Sequence, residues 1–217
     1  IKRIFIMFFI GCTLSLGTYF AILKITPFPQ EAIKNIQYSK CIFDSQGNLL
    51  RVFTNKDGFW LMPVELKEIN PQLVNTTLSI EDNRFKKHFG VDLLAVIRAA
   101  KLNFKNGRVI SGASTISMQV IRIIENRKRS LPNKIIEAVH AIRLETLYSK
   151  EDILKLYFEI APYGGNIHGV KAASLRYFNK QPADLTLSEC ALLAAIPQSP
   201  TKLRPNRYPE RAKKRRG

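Results

Sequence analysis

The pattern of apolar and polar positions changes character three times along this chain. Residues 4–23 run without a charge, IFIMFFIGCTLSLGTYFAIL, with Lys2 and Arg3 before them and Lys24 after. At about 1.5 Å per residue this gives roughly 30 Å of helix, the thickness of a bilayer's hydrocarbon core. The run predicts a transmembrane helix. Its end carries bulky Tyr19, Phe20, Ile22 and Leu23, not the small residues of a cleavage site, which favours an uncleaved anchor over a signal peptide. Lys2 and Arg3 would stay cytoplasmic, so everything after Lys24 is expected on the extracytoplasmic side of the plasma membrane, with a single pass.

Residues 25–37 contain Pro27 and Pro29 and read as a stalk. Two short β-type runs, 38–43 and 49–53, flank the turn-rich 44–48 and predict a hairpin. From about residue 66 the period becomes helical. Helices are expected over 74–80, over 93–102 with Asp92 as cap and Leu93, Val96, Ile97 and Ala100 on one face, from Ser114 onward, and over 133–148. Ser149-x-x-Asp152 and Thr186-x-x-Glu189 have the form of capping boxes. The glycine-containing basic stretch 103–112 reads as a loop, and Pro197, Pro200, Pro205 and Pro209 are expected to end regular structure. The organisation is thus an anchor at 1–24, a stalk and hairpin at 25–65, and a mainly α domain at 66–217.

Charge narrows the partners. Lys and Arg number 34 against 17 acidic residues, a formal net charge of +17, and such a field attracts nucleic acid, anionic lipid or a phosphate-bearing substrate. An extracytoplasmic domain leaves the last two, with the membrane itself as a partner. Cys12, Cys41 and Cys190 have no metal spacing; Cys41 and Cys190 are expected as free thiols and not as a disulfide. A chain that opens on Ile and closes on Lys-Lys-Arg-Arg-Gly reads as a segment of a longer one.

Three constellations could carry chemistry. In EDNRFKKHFGVD (81–92), the acidic pair Glu81 and Asp82 is followed by His88 and Asp92; it is either a solvated helix end or the source of a general base. In GASTISMQVIR (112–122), Thr115, Gln119 and Arg122 fall at i, i+4 and i+7. They form either the wet side of an amphipathic helix or a row of donors, headed by a glycine-flanked helix N-terminus, for a phosphate or sugar. Lys134 and Glu137, at i and i+3, are either an intrahelical ion pair or part of the same site.

Taken in order, EDNRFKKHFGVD (81–92), GASTISMQ (112–119), KIIEAVHAIRLE (134–145) and SKEDILKLYFEIAPYGGNIHGVKAAS (149–174) resemble the successive motifs of the family 51 glycosyltransferases, the peptidoglycan glycosyltransferase domains of class A penicillin-binding proteins. The likeness extends to 43–64 and 177–212, and details such as APYGG are similar to the 1C subgroup. The resemblance implies a mainly α, lysozyme-like domain with a subdomain dipping into the bilayer. It implies polymerisation of lipid II onto a growing glycan strand, with release of undecaprenyl pyrophosphate and inversion at C1. Glu81 would be the general base and Glu137 the second catalytic carboxylate, helping to hold the pyrophosphate directly or through a divalent cation (Mg2+ or Mn2+). Asp82 and His88 would support the site, and Ser114, Thr115, Gln119, Arg122 and Lys134 would bind phosphate and sugar. Partners would be lipid II, the glycan strand, the membrane and cell-wall synthesis proteins.

The sequence departs from the family pattern at Met118, Arg122, Asn133, Lys155 and Glu159. Glu159 matters most, since a carboxylate facing the site would oppose a pyrophosphate. The last family motif, an Arg-led helix, is expected to begin about where the chain ends. Two other readings stay open on the residues alone: a lysozyme-like hydrolase or lytic transglycosylase, and a non-catalytic basic module that docks on membrane or cell wall.

Overall fold

The computed structural model describes residue 13 and residues 16–46, 49–108 and 112–216. Most of the expected transmembrane segment, residues 4–23, lies outside them. Residues 16–25 are helical, and among the described residues no helix is long and apolar enough to cross a membrane. The stretch expected as a stalk carries a short helix, α1 (Gln30–Lys34), whose Ile33 is buried. Phe28 and Ile36 on either side pack against the main core, so this segment lies on the domain instead of standing clear of it.

The hairpin forms where the alternation placed it, with β1 (Cys41–Phe43) antiparallel to β2 (Leu49–Val52) and Ile42 opposite Arg51. A second, three-stranded sheet is built from pieces of two or three residues: β3 (Trp60–Leu61), β4 (Pro162–Gly164) and β5 (Ile167–His168), in the order β3-β5-β4. β3 runs parallel to β5, while β4 is antiparallel to it.

The rest is helical, and side-chain caps set most of the helix starts. α2 (Pro71–Glu81) begins with a proline after Asn70, whose side chain accepts from the Gln72 N–H; such caps contribute about 1 kcal/mol each. α3 (Leu93–Asn106) is capped by Asp92 as expected and stops at Gly107, whose φ of 60° is left-handed. The helix therefore runs four residues into the stretch expected as a loop; residues 109–111 of that stretch lie outside the described residues. α4 (Ile116–Ile124), α5 (Leu131–Leu147), α6 (Lys150–Ile160), α7 (Val170–Phe178), α8 (Leu187–Ala195) and α9 (Pro209–Arg216) follow. Both capping boxes close, Ser149 with Asp152 and Thr186 with Glu189. Pro209 opens a helix instead of ending regular structure, because proline's fixed φ suits a first turn that has no use for its missing N–H.

α4 is the centre of the domain. It packs on α5 and α6, while α2 packs on α8. Its residues 116–121 are all buried, so the two-faced helix expected there is enclosed on both sides. Ile116, Val120 and Ile121 are fully inside, and burying each such side chain stabilises by about 1.5–3 kcal/mol. α3 does the reverse. Of its residues only Ala99 is buried, and Leu93, Leu94, Val96, Ile97 and Phe104 are exposed, Phe104 at 92%. Cys41 is half-buried and Cys190 buried, both as free thiols.

Candidate active site

Glu81 and Asp82 are neighbours with opposite duties. Asp82 leaves the helical conformation (φ −157°, ψ 72°) and turns inward. Its Oδ2 accepts from the Ile116 N–H at 2.9 Å, and both its oxygens lie 3.0 Å from His88 Nε2. His88 is buried in turn between Asp82 and Glu145. Thr115 caps α4, its Oγ1 accepting from the Met118 N–H and donating to the Gly90 carbonyl at 2.6 Å. Gly90 is needed for this close approach. It sits at φ +82°, and a Cβ there would lie 2.7 Å from the backbone of Ala141 in α5.

This bonding decides what the head of α4 can do. The Ile116 and Met118 amides already have acceptors in Asp82 and Thr115. Asp82, His88 and Thr115 hold the elements together behind the site. The side chains further along α4 face the open space instead.

That space is a pocket of about 780 Å³ between α2, α4, α5 and the turn after α8. Of the nine residues expected at the site, it brings together six: Glu81, Ser114, Gln119, Arg122, Lys134 and Glu137. Gln119 Nε2 donates to Glu81 Oε2 at 2.7 Å. Burial pushes the Glu81 carboxyl above the usual range, opposed by the hydrogen bond from Gln119, the charge of Arg122 and the nearby Gln198 amide. Its Oε1 is buried without a hydrogen bond.

Three cations share the pocket with Glu81. Arg122, Arg129 and Lys134 line it. Burial lowers the Arg122 pKa, and the charges of Glu137 and Glu81 act against that. Glu137 is 3% exposed; burial raises its pKa and the charges of Arg122 and Lys134 oppose the rise. Lys134 and Glu137 lie on the same wall, and no ion pair within 4 Å joins them.

Arg129, Ser130 and Gln198 also line the pocket and were not expected from the sequence. Arg129 had a faint signal in the basic run Arg127-Lys128-Arg129 before a helix cap. Gln198 had none, since it arrives from a turn some 80 residues beyond Gln119. Through Gln198 the pocket adjoins a second basic one of about 770 Å³, lined also by Lys202, Arg211 and Lys214. Glu159 faces away from both. Its carboxylate accepts from the Tyr38 hydroxyl at 3.0 Å and the Val64 N–H at 3.3 Å. Lys155 pairs with Glu65, and Asn133 donates to the Lys128 carbonyl. Met118 is a buried core residue.

A family model described as Transglycosylase matches residues 46–217, which include every pocket residue above. The chain belongs to the transglycosylase family. Among similar proteins, penicillin-binding protein 1C of Escherichia coli (strain K12) is 40% identical over 189 residues, covering 87% of this chain and 24% of that protein. Penicillin-binding protein 1A of Aquifex aeolicus (strain VF5) is 38% identical over 176 residues, covering 81% and 24%. This transglycosylase-family chain thus spans about a quarter of the length of the curated relatives it matches. The crystal structure of penicillin-binding protein 1A from Haemophilus influenzae has a TM-score of 0.44 and 21% identity, over 84% of this chain and 17% of that one, a likeness too loose to assign the fold.

Proposed function

We propose that this domain is a peptidoglycan glycosyltransferase that joins lipid II units into glycan strands. The observation that carries the reading is Glu81, a desolvated carboxylate bonded to Gln119, sharing one pocket with Arg122, Arg129 and Lys134. A hydrolase needs the carboxylate but has no use for three cations in its pocket. A transferase with a pyrophosphate leaving group needs both.

In the proposed reaction Glu81 takes the proton of the 4-hydroxyl on the incoming GlcNAc. The oxygen attacks C1 of the MurNAc at the end of the growing strand, and the C1–oxygen bond to pyrophosphate breaks with inversion. Negative charge grows on the leaving oxygen, where Arg122, Arg129 and Lys134 stabilise it. The adjoining pocket with Lys202, Arg211 and Lys214 suits the pyrophosphate of the second lipid-linked substrate. Among the described residues no three His, Cys, Asp or Glu side chains come together to cage a metal. Glu137 could share a Mg2+ or Mn2+ ion with a bound pyrophosphate, and no bond change proposed here runs through one. Asp82, His88 and Thr115 would act by holding α2 and α4, and Ser114 by binding sugar or phosphate.

Both substrates are membrane lipids, and the exposed apolar side of α3 supports a domain resting on the bilayer. Residues 4–23 would anchor it with one pass, the domain facing outward, beside other cell-wall synthesis proteins. The test is the detergent-solubilised chain with labelled lipid II, beside Glu81→Gln. The expected outcome is a lysozyme-sensitive glycan ladder that the variant fails to make; cleavage of preformed peptidoglycan without a ladder would overturn the reading in favour of a hydrolase.

A further inference from the structure

The N-terminal helix ends on a buried histidine that the proposed reaction does not use. His140 lies on α5, one turn after Glu137, and its side chain is fully buried. Its Nδ1 lies 3.0 Å from Glu125 Oε1, and its Nε2 lies 2.9 Å from the Thr26 carbonyl, just past the helix at 16–25. Phe28 packs edge-on against the ring. The Thr26 hydroxyl is 3.3 Å from the same Nε2, but its own proton goes to the Ile22 carbonyl at 2.7 Å. All three of the ring's partners are therefore acceptors.

A neutral imidazole has one N–H, and only the doubly protonated ring donates from both nitrogens. The charge has a counterpart. Glu125 closes the C-terminus of α4, and its carboxylate also receives two bonds from Arg127, at 2.6 and 3.0 Å. The hydrogen bonds from His140 and Arg127 overcome burial and hold the Glu125 pKa below the usual range. Glu125, bonded to the ring, and Arg127, bonded to Glu125, are charged and come from the α4 side; Thr26 and Phe28, from the N-terminal side, are uncharged.

We infer that His140, protonated on both nitrogens, is the pin of a clasp that fixes the end of the N-terminal helix to α4 and α5, the two helices that carry Gln119, Arg122, Lys134 and Glu137. His140 is a positioning residue. It sets where the chain leaves its N-terminal helix relative to the pocket, whatever reaction the pocket performs.

Backbone hydrogen exchange of the full chain in detergent micelles tests this without any turnover measurement. Wild type, His140→Phe and Glu125→Gln are compared at one pH. His140→Phe is expected to lose at least about tenfold in protection over residues 22–36, as loss of one charge-assisted bond implies, while α2 and α6 keep theirs. Glu125→Gln should lose part of that protection. Protection over 22–36 in Glu125→Gln equal to wild type would overturn the inference, even if His140→Phe fails to fold. So would a folded His140→Phe that matches wild type.

Discussion

Gln119 Nε2 and Glu81 Oε2 are 2.7 Å apart, and this bond joins the last residue of α2 to the middle of the buried α4. It favours the charged carboxylate against the burial that disfavours it. Burial raises the carboxyl's pKa, and a neighbour that is neutral and buried tempers the rise.

A pH dependence follows. Glu81 must be deprotonated to act, and burial raises its pKa, so activity should rise with pH along a limb above the ordinary carboxylate value of about 4.3. Gln119→Leu removes a bond to the charged form and should move that limb to higher pH. The measurement is kcat/KM against pH for both proteins; coincident limbs would remove Glu81 from the role of base.

The same carboxylate should cost stability. Its folded pKa lies above the unfolded value, so folding disfavours the charged form. The penalty is absent below the unfolded pKa and complete once pH passes the folded one. Glu81→Gln should accordingly raise Tm at neutral pH by about 2–4 °C, as for roughly 1 kcal/mol in a domain of this size. The gain should vanish near pH 4. Thermal scans at the two pH values decide it.

Arg122→Ala should raise KM for lipid II and lower kcat as well, because the phosphate charge it meets is present in the bound substrate and grows in the transition state. Losing one charge-assisted bond to a phosphate costs about 1.5–3 kcal/mol, or roughly 10- to 150-fold in KM for lipid II. Arg122→Lys should recover only part of it, because a lysine cannot bind two phosphate oxygens in a fork. An unchanged KM in the alanine variant would place the phosphate elsewhere.

Asp82→Ala should unfold before it merely slows. The change leaves the buried His88 and the Ile116 amide without their acceptor, at about 1–3 kcal/mol for each buried group left unsatisfied. Denaturant melts report the loss. A variant as stable as wild type with reduced kcat would instead make Asp82 part of the chemistry.

For α3 the expectation concerns lipid. Leu94→Glu with Ile97→Glu places two charges on its exposed apolar side, and binding of the detergent-free domain to anionic vesicles should fall by at least about tenfold, with the thermal melt unchanged. Equal flotation of both proteins would mean that α3 does not touch the bilayer.

What could be read from the sequence was what neighbours decide. The hairpin, the Asp92 cap and the two capping boxes depend on a few consecutive residues, and they are where their spacing put them. The ordered motifs led to six residues of one pocket, five of them on three helices and Ser114 just before one. Thr115 was harder to read. A threonine at a helix start can serve a ligand or the helix, and its bond to the Gly90 carbonyl depends on a residue far from it in the sequence. Gln198 and the strands β3 and β5 depend on partners far along the chain, which no local pattern encodes. The exposure of α3 was hidden for a related reason, since its apolar period is the same whether it faces a core or open space.

The parallel pairing of Trp60 with Ile167 also sets an order of events. These partners lie roughly a hundred residues apart, so the loop between them must close before the bond is gained. A ribosome adding about 5–20 residues each second needs several seconds or more to reach the second partner. Until then the first strand waits with its edge bare, open to a chaperone or to a neighbouring nascent chain.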